Sequence, residues 1–379
     1  MTIITIQPGD SLYSLGKRFG VSVERIAAAN GIDPHRYLVI GDSLIIPSPQ
    51  EKQGALETIG FAYPFIDRKT LQKSLPILTY LAILSYRFKA DGRLIAPKGD
   101  DFLITLAKEG GAAPLAVVST VDESGGFNSR LAAALLTNEQ AKARLIEELK
   151  AMLGRKGYAG LLLDLQYLPR ALRELYPAFL SALKAAIAPL PLMVSLAPQR
   201  AADQSGALFE GQDQAALGAA ADRALLMTFE WGHTFGPPMA VSPIDRVEQV
   251  VDFSLSAIPA QKLLLGLPNY GYDWVLPYEK DYPARSVSNE EAIAIARKGG
   301  AEIQFDAKAQ APYFRYIDRY GRRHEVWYED GRSYQAKLSL LQKKGLHGTF
   351  IWNIMRFYQP LFTLINEQFD IIKIAKNAE

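Results

Sequence analysis

Short apolar runs alternate with amphipathic stretches along most of the chain, starting near residue 58. Eight such runs occur, at residues 58–63, 80–86, 115–121, 160–165, 192–196, 224–229, 262–267 and 348–351. Strands that are buried on both faces have this continuous apolar pattern, and intervening segments such as 138–153 and 244–257 have helical periodicity. The pattern predicts an α/β fold, a (β/α)8 TIM barrel, with an open doubly wound sheet as the structural alternative.

The alternation of runs breaks between the seventh and the eighth. Residues 311–333 alternate polar and apolar side chains on either side of Arg319, Tyr320, Gly321 and Arg322, a pattern typical of an antiparallel hairpin with a tight turn. We therefore expect a small inserted α+β subdomain at about residues 303–333.

A smaller unit precedes the barrel. Residues 4–7 alternate like a strand, Leu12, Leu15 and Phe19 recur at helical spacing, Ser22 can begin a second helix, and residues 43–47 form a further apolar run. This order predicts a small βααβ domain at residues 1–48. Residues 49–57 are polar and have no periodicity, so we interpret them as a linker to a barrel at residues 58–379.

Composition and charge narrow the classes of partner. The 42 basic and 40 acidic side chains leave a net charge of +2, which gives no reason to expect nucleic acid or an anionic membrane as partner. No apolar run is long enough for a membrane span, and residues 1–7 lack the pattern of a secretory signal. The chain has no cysteine, and its four histidines show no ligand spacing, so we expect neither a metal nor another cofactor.

Candidate binding residues follow the predicted strands. In such a barrel, the active site lies at the C-terminal ends of the strands. Aromatic rings that face a cleft can stack on sugars. The candidates at these ends are Tyr63, Asp164, Gln166, Tyr167, Phe229, Glu230, Trp231, Tyr270, Trp274 and Trp352. Burial as plain core is the alternative for any single ring. Asp122 and Glu123 follow the third strand, where a simple loop is the alternative to a carboxylate in the cleft.

The N-terminal unit resembles a LysM domain. The resemblance is carried by PGDSLYSL, FGVSVERIAAAN and LVIGDSLIIP, and it extends over the whole unit. It implies binding of glycans that contain N-acetylglucosamine, such as peptidoglycan or chitin. The groove of the family corresponds here to Gly9, Asp10, Ser11, Leu12, Asn30, Gly31 and Ile32. The alternative is that these residues only form turns and helix caps.

The barrel resembles glycoside hydrolase family 18. The segment GYAGLLLDLQY is similar to the DxxDxDxE signature of that family, and MTFEWG, GLPNYGYDW and HEVWYEDGRS extend the similarity. With the LysM-like unit, the chain resembles the spore-cortex N-acetylglucosaminidases. The resemblance implies a reaction in which the 2-acetamido group of the substrate is the nucleophile. A glutamic acid protonates the leaving oxygen, an aspartate orients the acetamido N–H, and a tyrosine binds the acetamido oxygen.

This sequence departs from that pattern at several positions. Asp164 matches the orienting aspartate, but Gln166 stands at the acid position and Phe229 at the tyrosine position. Ala159 and Leu162 replace the first two aspartates of the signature, whereas the acidic residue of the sixth strand is retained as Glu230. An amide has no proton to donate at any useful pH, and loss of general acid catalysis lowers a rate by about 10²–10⁴-fold.

Two interpretations follow from these departures. Drift toward a binding protein explains Gln166 and Phe229 together, and we prefer it. An introduced Glu→Gln change would explain Gln166 alone and would leave an otherwise active N-acetylglucosaminidase. In either case the resemblance implies binding of peptidoglycan or chitin oligomers at the spore coat, the cortex or the cell wall. We expect a monomer, although the sequence leaves the oligomeric state open.

Overall fold

The computed structural model describes residues 1–121, 126–202 and 204–374. Asp122 and Glu123 therefore lie outside the described residues. The dominant feature is a closed barrel of eight parallel strands, in which the first strand pairs with both the second and the eighth. The prediction of a TIM barrel is confirmed, and the open sheet is excluded.

All eight apolar runs became strands of the barrel. They are β3 (Ala55–Ala62), β4 (Tyr80–Phe88), β6 (Ala113–Ser119), β7 (Leu161–Asp164), β8 (Leu192–Leu196), β9 (Arg223–Leu226), β10 (Leu263–Pro268) and β16 (Gly348–Trp352). Two short strands extend the sheet: β5 (Leu94–Ile95) pairs with the end of β4, and β17 (Asp370–Ile371) pairs with β3. Strand β9 ends three residues before the predicted boundary, so Phe229 and Glu230 lie in the segment beyond it.

Helices cover the outside of the barrel. They are α3 (Arg68–Ser74), α4 (Asp100–Glu109), α5 (Ser129–Leu136), α6 (Glu139–Lys156), α7 (Leu175–Ile187), α8 (Gln214–Ala220), α9 (Ile244–Leu255), α11 (Gly331–Lys343) and α12 (Gln359–Gln368). Alternate residues of each strand pack in two separate cores. In β7, Leu161 and Leu163 belong to the core between strands and helices, and Leu162 belongs to the core inside the barrel. Within the described residues, no helix is long and apolar enough to cross a membrane.

The N-terminal domain has the predicted βααβ order. Its elements are β1 (Thr2–Thr5), α1 (Leu12–Phe19), α2 (Val23–Asn30) and β2 (Ser43–Ile46). Strand β1 begins earlier than the predicted 4–7, because Thr2 already pairs with Ile46 across the antiparallel ladder. Ser11 and Ser22 are the N-cap residues of α1 and α2, and their hydroxyls accept hydrogen bonds from backbone N–H groups of the first turns.

An antiparallel sheet is inserted between β10 and β16. It consists of β11 (Gly271–Leu276), β12 (Arg285–Val287), β13 (Gln304–Asp306), β14 (Ala311–Ile317) and β15 (Arg323–Trp327), with helix α10 (Asn289–Lys298). The predicted hairpin is β14–β15, in which Ile317 pairs with Arg323. The inserted unit is larger than the expected 303–333, because it already begins at Gly271. It also ends earlier, since Asp330 caps α11 of the barrel.

The N-terminal domain is hydrogen-bonded to the barrel. Arg332, in the first turn of α11, donates to Thr5 Oγ1 and to the carbonyl of Gly41, both at 2.9 Å. The N–H of Gly331 donates to Ser43 Oγ, and Thr363 of α12 donates to a carbonyl of α2. The domain and the barrel therefore share hydrogen bonds from two barrel helices.

Candidate active site

The centre of the candidate site is a pair of buried polar side chains. Asp164 is the last residue of β7, and Gln166 follows two residues later; they are 8% and 3% exposed. The Nε2 of Gln166 donates to Oδ1 of Asp164 at 2.7 Å. Burial raises the pKa of Asp164 to about 6, and hydrogen bonds from Gln166 and Ser195 oppose the rise. Leu162, two residues before Asp164, belongs to the core inside the barrel.

A second amide lies behind this pair. Gln212 is 1% exposed, and its Nε2 donates to Oε1 of Gln166 at 3.3 Å and to the carbonyl of Leu165 at 3.2 Å. Its Oε1 accepts from the backbone N–H of Ala197 at 2.8 Å. The acid position of the signature is thus occupied by an amide that is hydrogen-bonded at both ends.

Aromatic rings form one side of the barrel mouth. Trp352 ends β16 and is half-buried; its ring is parallel to that of Phe229, with centroids 6.3 Å apart. Phe61, on β3, meets Trp352 edge-on at 5.3 Å. A Cβ on Gly266 would lie 2.9 Å from Phe229, so the strand beneath needs glycine there to admit the ring. Phe229 has no hydroxyl, and its ring is 6% exposed.

Glu230 is the second carboxyl at this mouth. It adopts a positive φ of 66°, and its carboxylate accepts hydrogen bonds from the hydroxyls of Tyr270 and Tyr272. The side chain is exposed at the rim, yet the surrounding rings remove enough water to raise its pKa; the two tyrosine hydrogen bonds oppose that rise. Glu230 is therefore held by two tyrosines, Tyr270 in the segment after β10 and Tyr272 in β11, the first strand of the inserted unit.

The remaining predicted aromatic residues separate into different environments. Tyr63 is half-buried, packs with the interior core and stacks on the exposed Phe65 at 5.3 Å. Tyr167 is 45% exposed. Trp231 is half-buried, but it packs against the core between strands and helices. Trp274 does not face the cleft: it is 1% exposed, and its indole N–H donates to the carbonyl of Gly236.

The structure separates the predicted LysM groove residues into two sets. Gly9, Asp10 and Ser11 form the surface turn before α1, while Leu12 is buried in the domain core. Asn30, Gly31 and Ile32 line a narrow cleft between the domain and the barrel, together with residues such as Tyr358 and Pro360. The side chain of Asn30 is occupied by backbone groups of Ile26 and Ile45, and a Cβ on Gly31 would lie 2.6 Å from Gln359.

Three residues of the candidate site were not among the residues predicted from the sequence. Tyr272 lies two residues after Tyr270, so the period of a strand places both hydroxyls on one face; this signal was present but was not used. Ser195 and Gln212 carry no comparable signal. Gln212 comes from the loop before α8, and only the fold brings it to Gln166.

The arrangement combines a buried acceptor with an aromatic ring, each at the C-terminal end of a barrel strand. Asp164 offers an acceptor, and Trp352 offers a ring at the mouth. Within the described ranges, no cluster of three or more acidic or histidine side chains is suited to a metal ion.

Comparison with known proteins identifies the two domains. The family described as glycosyl hydrolases family 18 matches residues 122–356, and the LysM domain family matches residues 4–47. A cortical fragment-lytic enzyme of Bacillus anthracis is 33% identical, over 98% of this chain and 99% of that protein. The corresponding protein of Bacillus subtilis is 38% identical, over 81% of this chain and 71% of its own length.

A solved structure agrees with this assignment. The spore cortex-lytic enzyme SleL of Bacillus cereus superposes with a TM-score of 0.93 at 30% identity, and the match covers 98% of this chain and 99% of that one. A family 18 barrel and a LysM domain imply binding of N-acetylglucosamine-containing glycans, and the LysM domain suggests association with a cell wall. The family model covers more than half of the chain; the chain therefore belongs to glycosyl hydrolase family 18 and carries a LysM domain ahead of its barrel.

Proposed function

We propose that this protein binds N-acetylglucosamine-containing cell-wall glycan, specifically spore cortex peptidoglycan, and hydrolyses it weakly or not at all. The names of the relatives support the choice of glycan, since they are cortical fragment-lytic enzymes matched over most of their length. We also propose that it acts as a monomer at the spore coat, the cortex or the cell wall.

The observation that carries this proposal is the chemistry at position 166. Gln166 donates its amide to Asp164 and accepts from Gln212, so both ends of the amide are used in a buried network. An amide cannot supply a proton to the leaving oxygen, which removes general acid catalysis, a contribution of about 10²–10⁴ in rate. The same amide leaves the carboxylate of Asp164 in place as an acceptor for the acetamido N–H of a sugar.

Two further features support binding without efficient cleavage. Phe229 has the ring but not the hydroxyl that would bind the acetamido oxygen, and it stacks beside Trp352 as part of the barrel interior. Glu230 is engaged by two tyrosine hydroxyls, which favours a role in holding a ligand over a role as proton donor.

The competing function is an active, substrate-assisted N-acetylglucosaminidase in which Gln166 is an introduced change. One observation favours it: position 166 faces Asp164 at 2.7 Å, the distance at which a glutamic acid would share a proton with that aspartate. A scaffold with this geometry still suits the family reaction.

Restoring the missing groups separates the two functions. We expect Gln166→Glu alone to release few new reducing ends from cortex fragments, because the acetamido oxygen still lacks its hydroxyl partner. Gln166→Glu with Phe229→Tyr should raise the rate further, by up to about 10²–10⁴-fold over the unmodified chain. Reducing-end release is the measurement, and Phe229→Tyr alone is the matched control.

Several outcomes would contradict the proposal. Full recovery by Gln166→Glu alone would favour an introduced substitution over drift. Efficient release by the unmodified chain would show that another group donates the proton; loss of that release in Glu230→Gln would identify the donor. Failure of the unmodified chain to be retained on insoluble cortex would remove the binding function itself.

A further inference from the structure

The side chains of Gln212, Gln166 and Asp164 form a hydrogen-bonded chain with a defined direction. Its far end is set by two backbone groups, because the N–H of Ala197 can only donate and the carbonyl of Leu165 can only accept. Gln212 therefore must turn Oε1 toward Ala197 and Nε2 toward Leu165. A 180° flip of its amide would bring two donors together at 2.8 Å and two acceptors together at 3.2 Å.

The orientation of Gln212 then determines that of Gln166. Nε2 of Gln212 is a donor, so Gln166 must turn its acceptor, Oε1, toward Gln212. The Nε2 of Gln166 then faces Asp164. The opposite orientation of Gln166 would set a carbonyl oxygen against a carboxylate and an amide nitrogen against an amide nitrogen. All of these side chains are less than 9% exposed, so water cannot easily correct such a mismatch.

We propose that Gln212 is a positioning residue of the glycan site, which fixes the amide of Gln166 so that its N–H group holds Asp164 as an ionised acceptor for a sugar N–H. This rests on the proposed function only for the identity of the sugar. The direction of the hydrogen-bonded chain follows from the protein alone and is measurable without any ligand. Burial raises the pKa of Asp164, and the donated N–H group opposes that rise.

The test is the titration of the Asp164 carboxyl carbon by NMR, in the absence of glycan, with the full chain. Gln212→Met keeps the length of the side chain but removes its polar contacts, so Gln166 is free to turn. We expect the titration midpoint of Asp164 to move upward. In a glycan-binding assay with an N-acetylglucosamine tetramer at pH 7.5, we expect affinity to fall about tenfold or more.

A matched control is available two residues later, at the first residue of α8. Gln214 is 4% exposed, bonds the carbonyl of Ala197 and accepts from Ser254, but makes no contact with Gln166. Gln214→Met should leave the Asp164 midpoint unchanged. The double variant Gln166→Met/Gln212→Met should have the same Asp164 titration midpoint as Gln166→Met alone, because Gln212 acts through Gln166.

The outcomes separate this proposal from the proposed function. An unchanged Asp164 midpoint in folded Gln212→Met overturns the positioning role. A shifted midpoint in a protein that binds no glycan supports the positioning role and rejects the proposed function. Should Gln212→Met fail to fold, the unmodified chain decides: the Gln166 side-chain ¹⁵N resonance must follow the Asp164 titration, and a resonance that does not follow it overturns the proposal.

Discussion

Asp164 is the residue on which the proposed binding chemistry depends. Its carboxylate is buried at the end of β7, beside the amide of Gln166. Burial raises its pKa to about 6. A group with this pKa is ionised at neutral pH and becomes protonated under mildly acidic conditions.

Glycan binding at the barrel should therefore weaken as the pH falls through about 6. The ionised carboxylate accepts the sugar N–H, while the protonated form has lost that acceptor, so the affinity is present above the pKa and lost below it. Calorimetric titration of an N-acetylglucosamine tetramer between pH 5 and about 8 measures the effect. Asp164→Asn should abolish this pH dependence, and Glu230→Gln should preserve it; the reverse pattern would assign the dependence to Glu230.

At the scale of elements, the eight apolar runs were sufficient to predict the barrel, because a strand buried on both faces must be continuously apolar. The inserted sheet was predicted only in part. Trp274 follows a barrel strand in sequence, as a cleft residue would, but it belongs to β11, whose alternation turns it into the interior. Which face of an inserted strand meets the barrel is a tertiary property, and the sequence does not contain it locally.

The junction between the inserted sheet and α11 contains a fully buried ion pair. Lys337 donates to Glu329 at 2.8 Å, and both side chains are 0% exposed. Lys337→Met leaves a buried carboxylate without its partner, so we expect about 3–5 kcal/mol less stability in denaturant unfolding. The double variant Lys337→Met/Glu329→Gln should recover much of this stability. Equal stability of Lys337→Met and the unmodified chain would show that the ion pair contributes little to the free energy of unfolding.

At the scale of the whole molecule, hydrogen bonds join the LysM domain to two helices of the barrel. Arg332 connects the barrel helix α11 to β1 and to the loop before β2, and its guanidinium lies 4.4 Å from the ring of Phe305. The same docking places Asn30, Gly31 and Ile32 against the barrel. Sequence similarity predicted the domain and its glycan class, but the partial covering of its groove depends on packing that no local pattern encodes.

Removing the central contact should loosen the domain. We expect Arg332→Ala to speed protease cleavage at residues 49–54, because the hydrogen bonds to Thr5 and Gly41 are lost. These residues are the part of the predicted linker 49–57 that lies before β3, since residues 55–57 already belong to that strand. Arg322→Ala is the matched control, since Arg322 lies at the hairpin tip and pairs with Asp318. Equal cleavage rates for the two variants would show that other contacts hold the domain.

In the function proposed above, the barrel binds an acetylated amino sugar through Asp164 and leaves its glycosidic bond intact. The most direct test is a calorimetric titration of the unmodified chain and of Asp164→Ala with an N-acetylglucosamine tetramer at pH 7.5, followed by analysis of the recovered glycan. We expect Asp164→Ala to lose the barrel component of binding and to keep that of the LysM domain, and we expect the glycan to be recovered uncleaved. Identical isotherms for the two proteins, or a tetramer cleaved by the unmodified chain, would contradict it.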